Sequence, residues 1–150
     1  MNKLNEIIKI ADIHASKIEL AIMRLGDVFP LDQSKVTSLS EQELLFIELL
    51  ISRFGKLQDF MGRILINSFL KYAGDYYDSM TMIDKINKLE KLGLIENSDI
   101  WEKLREVRNH IEYEYPDYPA LTAKYLNQIF DLAPVLIKIL HNIKDHSKSL

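Results

Sequence analysis

The sequence predicts an all-α fold, an up-and-down bundle of about five helices in a single domain over residues 1–150. Apolar residues recur at steps of three and four along most of the chain, which is the spacing of amphipathic helices. Only five glycines and four prolines interrupt 150 residues, so long elements with few turns are expected. No strand-like alternation longer than four residues occurs, and there is no internal repeat.

The first helix is predicted over about residues 4–25, where apolar residues follow the helical spacing. Gly26 follows the last of them and is expected to end the helix. The dipeptide Phe29-Pro30 marks the connection that follows. Residues 27–37 are therefore predicted to be a loop with about one helical turn.

The second helix is predicted to start at a capping box and to extend to about residue 72. Two pairs have the required spacing, Ser38 with Glu41 and Ser40 with Glu43, and the sequence does not choose between them. A helix of about 30 residues would be roughly 45 Å long.

Two glycines interrupt this second helix without ending it. Gly55 and Gly62 are seven residues apart, so they lie near one face of the helix. Because glycine lacks a Cβ atom, we expect a neighbouring helix to approach closely there.

Three further helices are predicted in the second half of the chain. The first spans about residues 80–92 and ends at Gly93. The next begins at Ser98 and ends before Pro116. The last spans about residues 119–146, and Pro134 inside it is expected to kink or split the helix.

The charge and cysteine content excludes several classes of protein. Nineteen basic and 22 acidic residues give a net charge of −3, which argues against broad non-specific nucleic-acid binding but permits a small basic cleft. The absence of cysteine excludes disulfides and thiolate metal sites. The N-terminus is amphipathic rather than typical of a signal peptide, and no apolar run approaches 18 residues. We therefore expect a cytoplasmic protein with no membrane partner.

The common catalytic motifs are missing from the sequence. It contains no P-loop, no dinucleotide-binding glycine motif, no zinc-protease motif and no nucleophile elbow. His14 is interpreted as a surface or half-buried packing residue of the first helix. Near the C-terminus, His141 and His146 are not expected to bind a metal. Neither a cofactor nor a metal is predicted.

Chemically versatile side chains concentrate in residues 101–118, which read W-E-K-L-R-E-V-R-N-H-I-E-Y-E-Y-P-D-Y. On a helical wheel Arg108 flanks the apolar stripe of this helix, and Arg105 points further out. One interpretation is an exposed face with local ion pairs between neighbouring turns. The other is a polar cleft, since two arginines, an amide, an imidazole and two tyrosines are suited to bind a phosphodiester.

Three segments resemble the HEPN superfamily, and within it the toxin-like subunits paired with minimal nucleotidyltransferases. They are F-G-K-L-Q-D-F-M-G-R (54–63), M-I-D-K-I-N-K-L-E-K-L-G-L-I (82–95) and W-E-K-L-R-E-V-R-N-H-I-E-Y-E-Y-P-D (101–117). The last segment is the specific one, because the first two are also typical of amphipathic helices in general.

The family motif commonly reads R-N-x-x-x-H-x-Y. Arg108, Asn109 and Tyr115 match this motif, whereas Tyr113 occupies the position of the histidine. In a second register, Arg105 and His110 satisfy the spacing R-x4-H. The Arg108 register is favoured because the following E-Y-P also fits, and His110 then occupies a variable position.

The resemblance implies a metal-independent endoribonuclease in which two motifs face each other across a homodimer interface. In that family the histidine helps to activate the ribose 2′-OH, and the arginine stabilises the charge of the phosphorane. Asn109 and His110 would support the pocket. Tyr113 is a poor base, since the reference pKa of tyrosine is about 10. Natural loss of catalysis, replacement of the base by His110 and an inactivating exchange of histidine for tyrosine all remain open explanations.

The same resemblance implies a nucleotidyltransferase antitoxin as partner and RNA, not DNA, as substrate. In related systems the partner transfers AMP to a tyrosine near the motif, so Tyr115 is the first candidate acceptor and Tyr113 the second. The alternative function is a non-catalytic subunit that binds substrate for a nucleotidyltransferase. A purely structural helical bundle is a third interpretation.

Overall fold

The protein is an all-helical bundle, as predicted, in a computed structural model that describes residues 2–111 and 118–150. Within these ranges no strand is present, and no helix combines the length and hydropathy that a membrane span needs. The elements are α1 (Asn2–Leu25), α2 (Gln33–Thr37), α3 (Glu41–Phe60), a π-helical turn (Met61–Leu65), α4 (Ile66–Ala73), α5 (Met82–Lys91), α6 (Ser98–Ile111) and α7 (Pro119–Lys148). Because α3, the π-helical turn and α4 are continuous, the described ranges contain six separate helical segments.

Of the two predicted capping boxes, the one formed by Ser40 and Glu43 starts α3. The Glu43 backbone N–H donates to Ser40 Oγ at 3.1 Å, and the Ser40 N–H donates to Glu43 Oε1 at 2.8 Å. Two backbone donors of the first turn are thereby satisfied. Ser38 instead ends α2, the single helical turn expected between residues 27 and 37.

The helices α1 and α3 pack side by side in opposite directions. His14 on α1 contacts Arg53 on α3, whereas Arg24 near the end of α1 lies over the ring of Phe46 near the start of α3. The core between them also receives side chains from α4, α6 and α7. Its largest fully buried members include Phe54, Ile18, Phe69, Leu104 and Leu70.

Pro134 does not split the last helix. The helix α7 continues through it from Pro119 to Lys148, although proline removes one backbone hydrogen bond. Ala133 and Leu136 on either side are fully buried. Packing of this apolar face against the core therefore outweighs the loss, since tertiary packing rather than propensity provides most helix stability.

The two glycines of the second helix are the surface on which α6 lies. A Cβ atom on Gly55 would be 3.8 Å from Arg108 Cγ, and one on Gly62 would be 3.3 Å from Trp101 Cζ2. Gly55 and Gly62 are seven residues apart, and so are Trp101 and Arg108. Because the earlier glycine meets the later residue of α6, α6 is antiparallel to α3. The predicted close approach of a neighbouring helix at these glycines is confirmed.

We predict that substitutions at the two glycines have opposite effects on stability. Gly62→Val should lower the free energy of unfolding by about 1–3 kcal/mol, because the added methyl groups collide with Trp101. Gly55→Ala should raise it by about 0.5–1 kcal/mol, because alanine favours the helix and its Cβ fits. Urea denaturation measures both effects, and wild-type stability of Gly62→Val would contradict the close contact.

Candidate functional site

The candidate site begins at the last turns of α6, whose apolar stripe fixes the direction of the polar residues. Trp101, Leu104 and Val107 are buried at spacings of three, and this stripe sets the rotation of the helix. Arg108 is consequently directed toward α3, where its stem passes over Gly55. Its side chain is only 21% exposed.

Asp59 on α3 is the centre of a small charge network. Arg108 Nη1 lies 3.4 Å from Asp59 Oδ1, and Arg108 Nη2 donates to Asn109 Oδ1 at 3.0 Å. Arg63 binds the other carboxylate oxygen, with Nη2 and Nε at 2.8 and 2.9 Å from Oδ2. One carboxylate therefore lies between two guanidinium groups from separate elements.

Arg63 belongs to the π-helical turn that separates α3 from α4. The Ile66 N–H donates to the Met61 carbonyl, the i→i+5 hydrogen bond of this geometry. Met61, Gly62 and Leu65 are buried, whereas the Arg63 side chain is 69% exposed. Hydrogen bonding to Asp59, together with its negative charge, raises the pKa of Arg63. Such turns are frequent at functional sites.

His110 lies on the opposite side of α6 from Arg108. Residues two apart on a helix point about 160° apart, and the His110 ring faces α7. It stacks on Tyr125 with ring centroids 4.6 Å apart and an angle of 12° between the rings. Glu106, Lys124 and other side chains of α6 and α7 complete a cleft of about 490 Å³ around this pair.

The structure therefore brings together only some of the residues predicted from sequence. Arg108 and Asn109 are in contact, and His110 is separate from both. Arg105, of the alternative register, is exposed on α6. Tyr113 and Tyr115 lie outside the described residues.

The sequence analysis missed Asp59 and Arg63. Asp59 and Arg108 are 49 positions apart in sequence, and their contact depends on how α3 and α6 pack. An available signal was the spacing of Asp59 and Arg63, because residues four apart on a helix are neighbours.

His14 is half-buried, as predicted, on the side of α1 next to α3. Its Nδ1 lies 3.2 Å from Arg53 Nη1, and its ring meets the edge of Phe60 at a centroid distance of 6.4 Å. Burial lowers the pKa of His14, and the positive charges of Arg53 and Lys56 lower it further. Cationic side chains are thus concentrated along this part of α3.

No known protein family, curated protein or solved structure gives a significant match to the chain. Among residues 2–111 and 118–150, no group of three or more acidic or histidine side chains is arranged to hold a metal ion. The candidate site is therefore identified from the contacts of its own side chains.

We predict that His14 makes the protein less stable in mild acid. Its folded-state pKa lies below the ordinary value of 6.5, so the unfolded chain binds the proton more readily. The free energy of unfolding of wild type relative to His14→Gln should stay constant above about pH 7 and fall as the pH decreases toward about 5. Urea denaturation across this range measures the difference, and a pH-independent difference would contradict the prediction.

Proposed function

We propose that the protein is a HEPN-like, toxin-type subunit that binds RNA and is a metal-independent endoribonuclease in type. The observation that supports this most is the position of Arg108, which Asp59 and Asn109 hold at the end of α6. The segment with Tyr113 and Tyr115, the rest of the motif, follows directly in sequence. A half-buried, oriented guanidinium is well suited to bind a phosphodiester through paired hydrogen bonds.

The proposed reaction is attack of the ribose 2′-oxygen on the adjacent phosphorus. The bond between these atoms forms, the bond from phosphorus to the 5′-oxygen breaks, a base accepts the 2′-proton, and the 5′-oxygen gains a proton. Arg108 would stabilise the additional negative charge of the phosphorane. The base would come from position 113 or from a second copy, so the active form would be a homodimer with a composite site.

A non-catalytic subunit that binds substrate for a nucleotidyltransferase is the second candidate. Two observations favour it. His110 stacks on Tyr125 on the side of α6 away from Arg108, and a tyrosine stands at the position of the motif histidine. In that case Arg108 would bind a phosphate without any reaction.

The proposed partner is a minimal nucleotidyltransferase that controls the subunit. Transfer of AMP to Tyr115 would add a negative phosphate seven residues after Arg108. That phosphate would compete with RNA for the guanidinium group and would obstruct the approach of the strand.

We predict that RNA cleavage in the presence of a metal chelator depends on Arg108 and increases when the motif histidine is provided. Tyr113→His should create or strongly raise cleavage, and adding Arg108→Ala should lower the rate by about 10²–10³-fold, the usual cost of losing a group that stabilises an oxyanion. Arg24→Ala on α1 is the matched control and should have no effect. Electrophoresis of a labelled single-stranded RNA measures the rates.

Other results would favour a different register or a different function. Cleavage by the native chain that His110→Ala abolishes would favour the register of Arg105 and His110. If Arg108→Ala weakens RNA binding while no variant cleaves, the non-catalytic function is correct. If no variant binds or cleaves RNA, the proposed function is wrong.

A further inference from the structure

Basic side chains line the outer side of α3 and the π-helical turn. Arg53, Lys56 and Arg63 are spaced by three and seven residues, which places them on one side of the helix. Lys56 and Arg63 are exposed, and Arg53 is half-buried beside His14. Between residues 53 and 63 the only acidic residue is Asp59, although the whole chain has a net charge of −3.

This row of basic residues is continuous with Arg108. Asp59 contacts Arg63 through one carboxylate oxygen at 2.8 Å and Arg108 through the other at 3.4 Å. Lys56 and Arg63 are about two turns apart, roughly 10 Å along the helix axis. The positive potential also extends to α1, where Arg53 and Lys56 contribute to the lowered pKa of His14.

On the basis of the function proposed above, we propose that Arg53, Lys56 and Arg63 form a phosphate-binding strip that carries a single-stranded RNA to Arg108. The strip presents cationic groups, which bind the phosphates of any sequence. A single strand fits the proposed chemistry, because attack in line with the leaving oxygen requires a nucleotide that is free to leave helical geometry.

Asp59 has a second role in this proposal, as the counter-ion that an RNA phosphate displaces. Its side chain is 37% exposed, and its carboxylate occupies the position between two guanidinium groups where a phosphate would bind. Without RNA it keeps Arg108 and Arg63 oriented. When RNA binds, the phosphate competes for the same donors, so the negative charge of Asp59 weakens the affinity.

The test is binding of a fluorescent 2′-O-methyl RNA, which cannot be cleaved, followed by anisotropy over a range of salt concentrations. The double variant Lys56→Gln/Arg63→Gln should bind about tenfold more weakly at 0.1 M salt, and its plot of log K against log salt should be less steep by about 1.4, or about 0.7 for each lost phosphate contact. The control Lys91→Gln/Lys138→Gln changes the net charge equally at exposed positions on α5 and α7. Its affinity and slope should stay close to those of wild type.

Asp59→Asn tests the role of the counter-ion and should tighten binding at least about threefold, because removing the negative charge of Asp59 strengthens the attraction of the two guanidinium groups for phosphate. Circular dichroism verifies that every variant is folded. The proposed phosphate-binding strip is wrong if both double variants weaken RNA binding equally. It is also wrong if neither variant weakens RNA binding while the native chain binds RNA through Arg108. In these cases the proposed function remains. If the native chain binds no RNA, both proposals fail.

Discussion

The close approach of α6 to α3 over Gly55 and Gly62 is the constraint on which the rest of the site depends. Trp101 is buried against one glycine, and the stem of Arg108 passes over the other. A Cβ atom at Gly62 would press on Trp101, and a side chain longer than alanine at Gly55 would displace the Arg108 stem. This packing fixes the rotation of α6, so the arginine faces α3 and the histidine two residues later faces α7.

The rotation of α6 separates two chemically different surfaces. On the α3 side, two guanidinium groups share the carboxylate of Asp59, and further basic residues extend along α3. Between α6 and α7, His110 stacks on Tyr125 in a separate cleft.

A protein with more acidic than basic residues thus concentrates positive charge on the side of α6 that faces α3. Such local concentration attracts a polyanion without requiring a basic protein. The proposed RNA function requires only the first surface to bind phosphate, and the proposed second copy would complete a composite site.

Much of the fold was predictable because its determinants are local in sequence. The capping box at Ser40, the single turn before it and the close approach at the two glycines all follow from spacings of a few residues. Pro134 shows the limit of local rules, since α7 stays continuous through a residue whose propensity favours a break. The network at Asp59 was not predictable in the same way. It depends on a contact between Asp59 and Arg108, which are 49 positions apart, and on a π-helical turn that no sequence spacing indicated.

The central claim is that the packing of α6 on α3 positions Arg108 to bind RNA phosphate. The most direct measurement is a double-mutant cycle on the affinity for 2′-O-methyl RNA, with Gly55→Leu to displace the Arg108 stem and Arg108→Ala to remove its guanidinium. Because both changes disable the same group, we predict that Gly55→Leu weakens binding in the native chain but has no further effect when Arg108 is alanine. Additive losses in the cycle, or native affinity of a folded Gly55→Leu variant, would contradict the account.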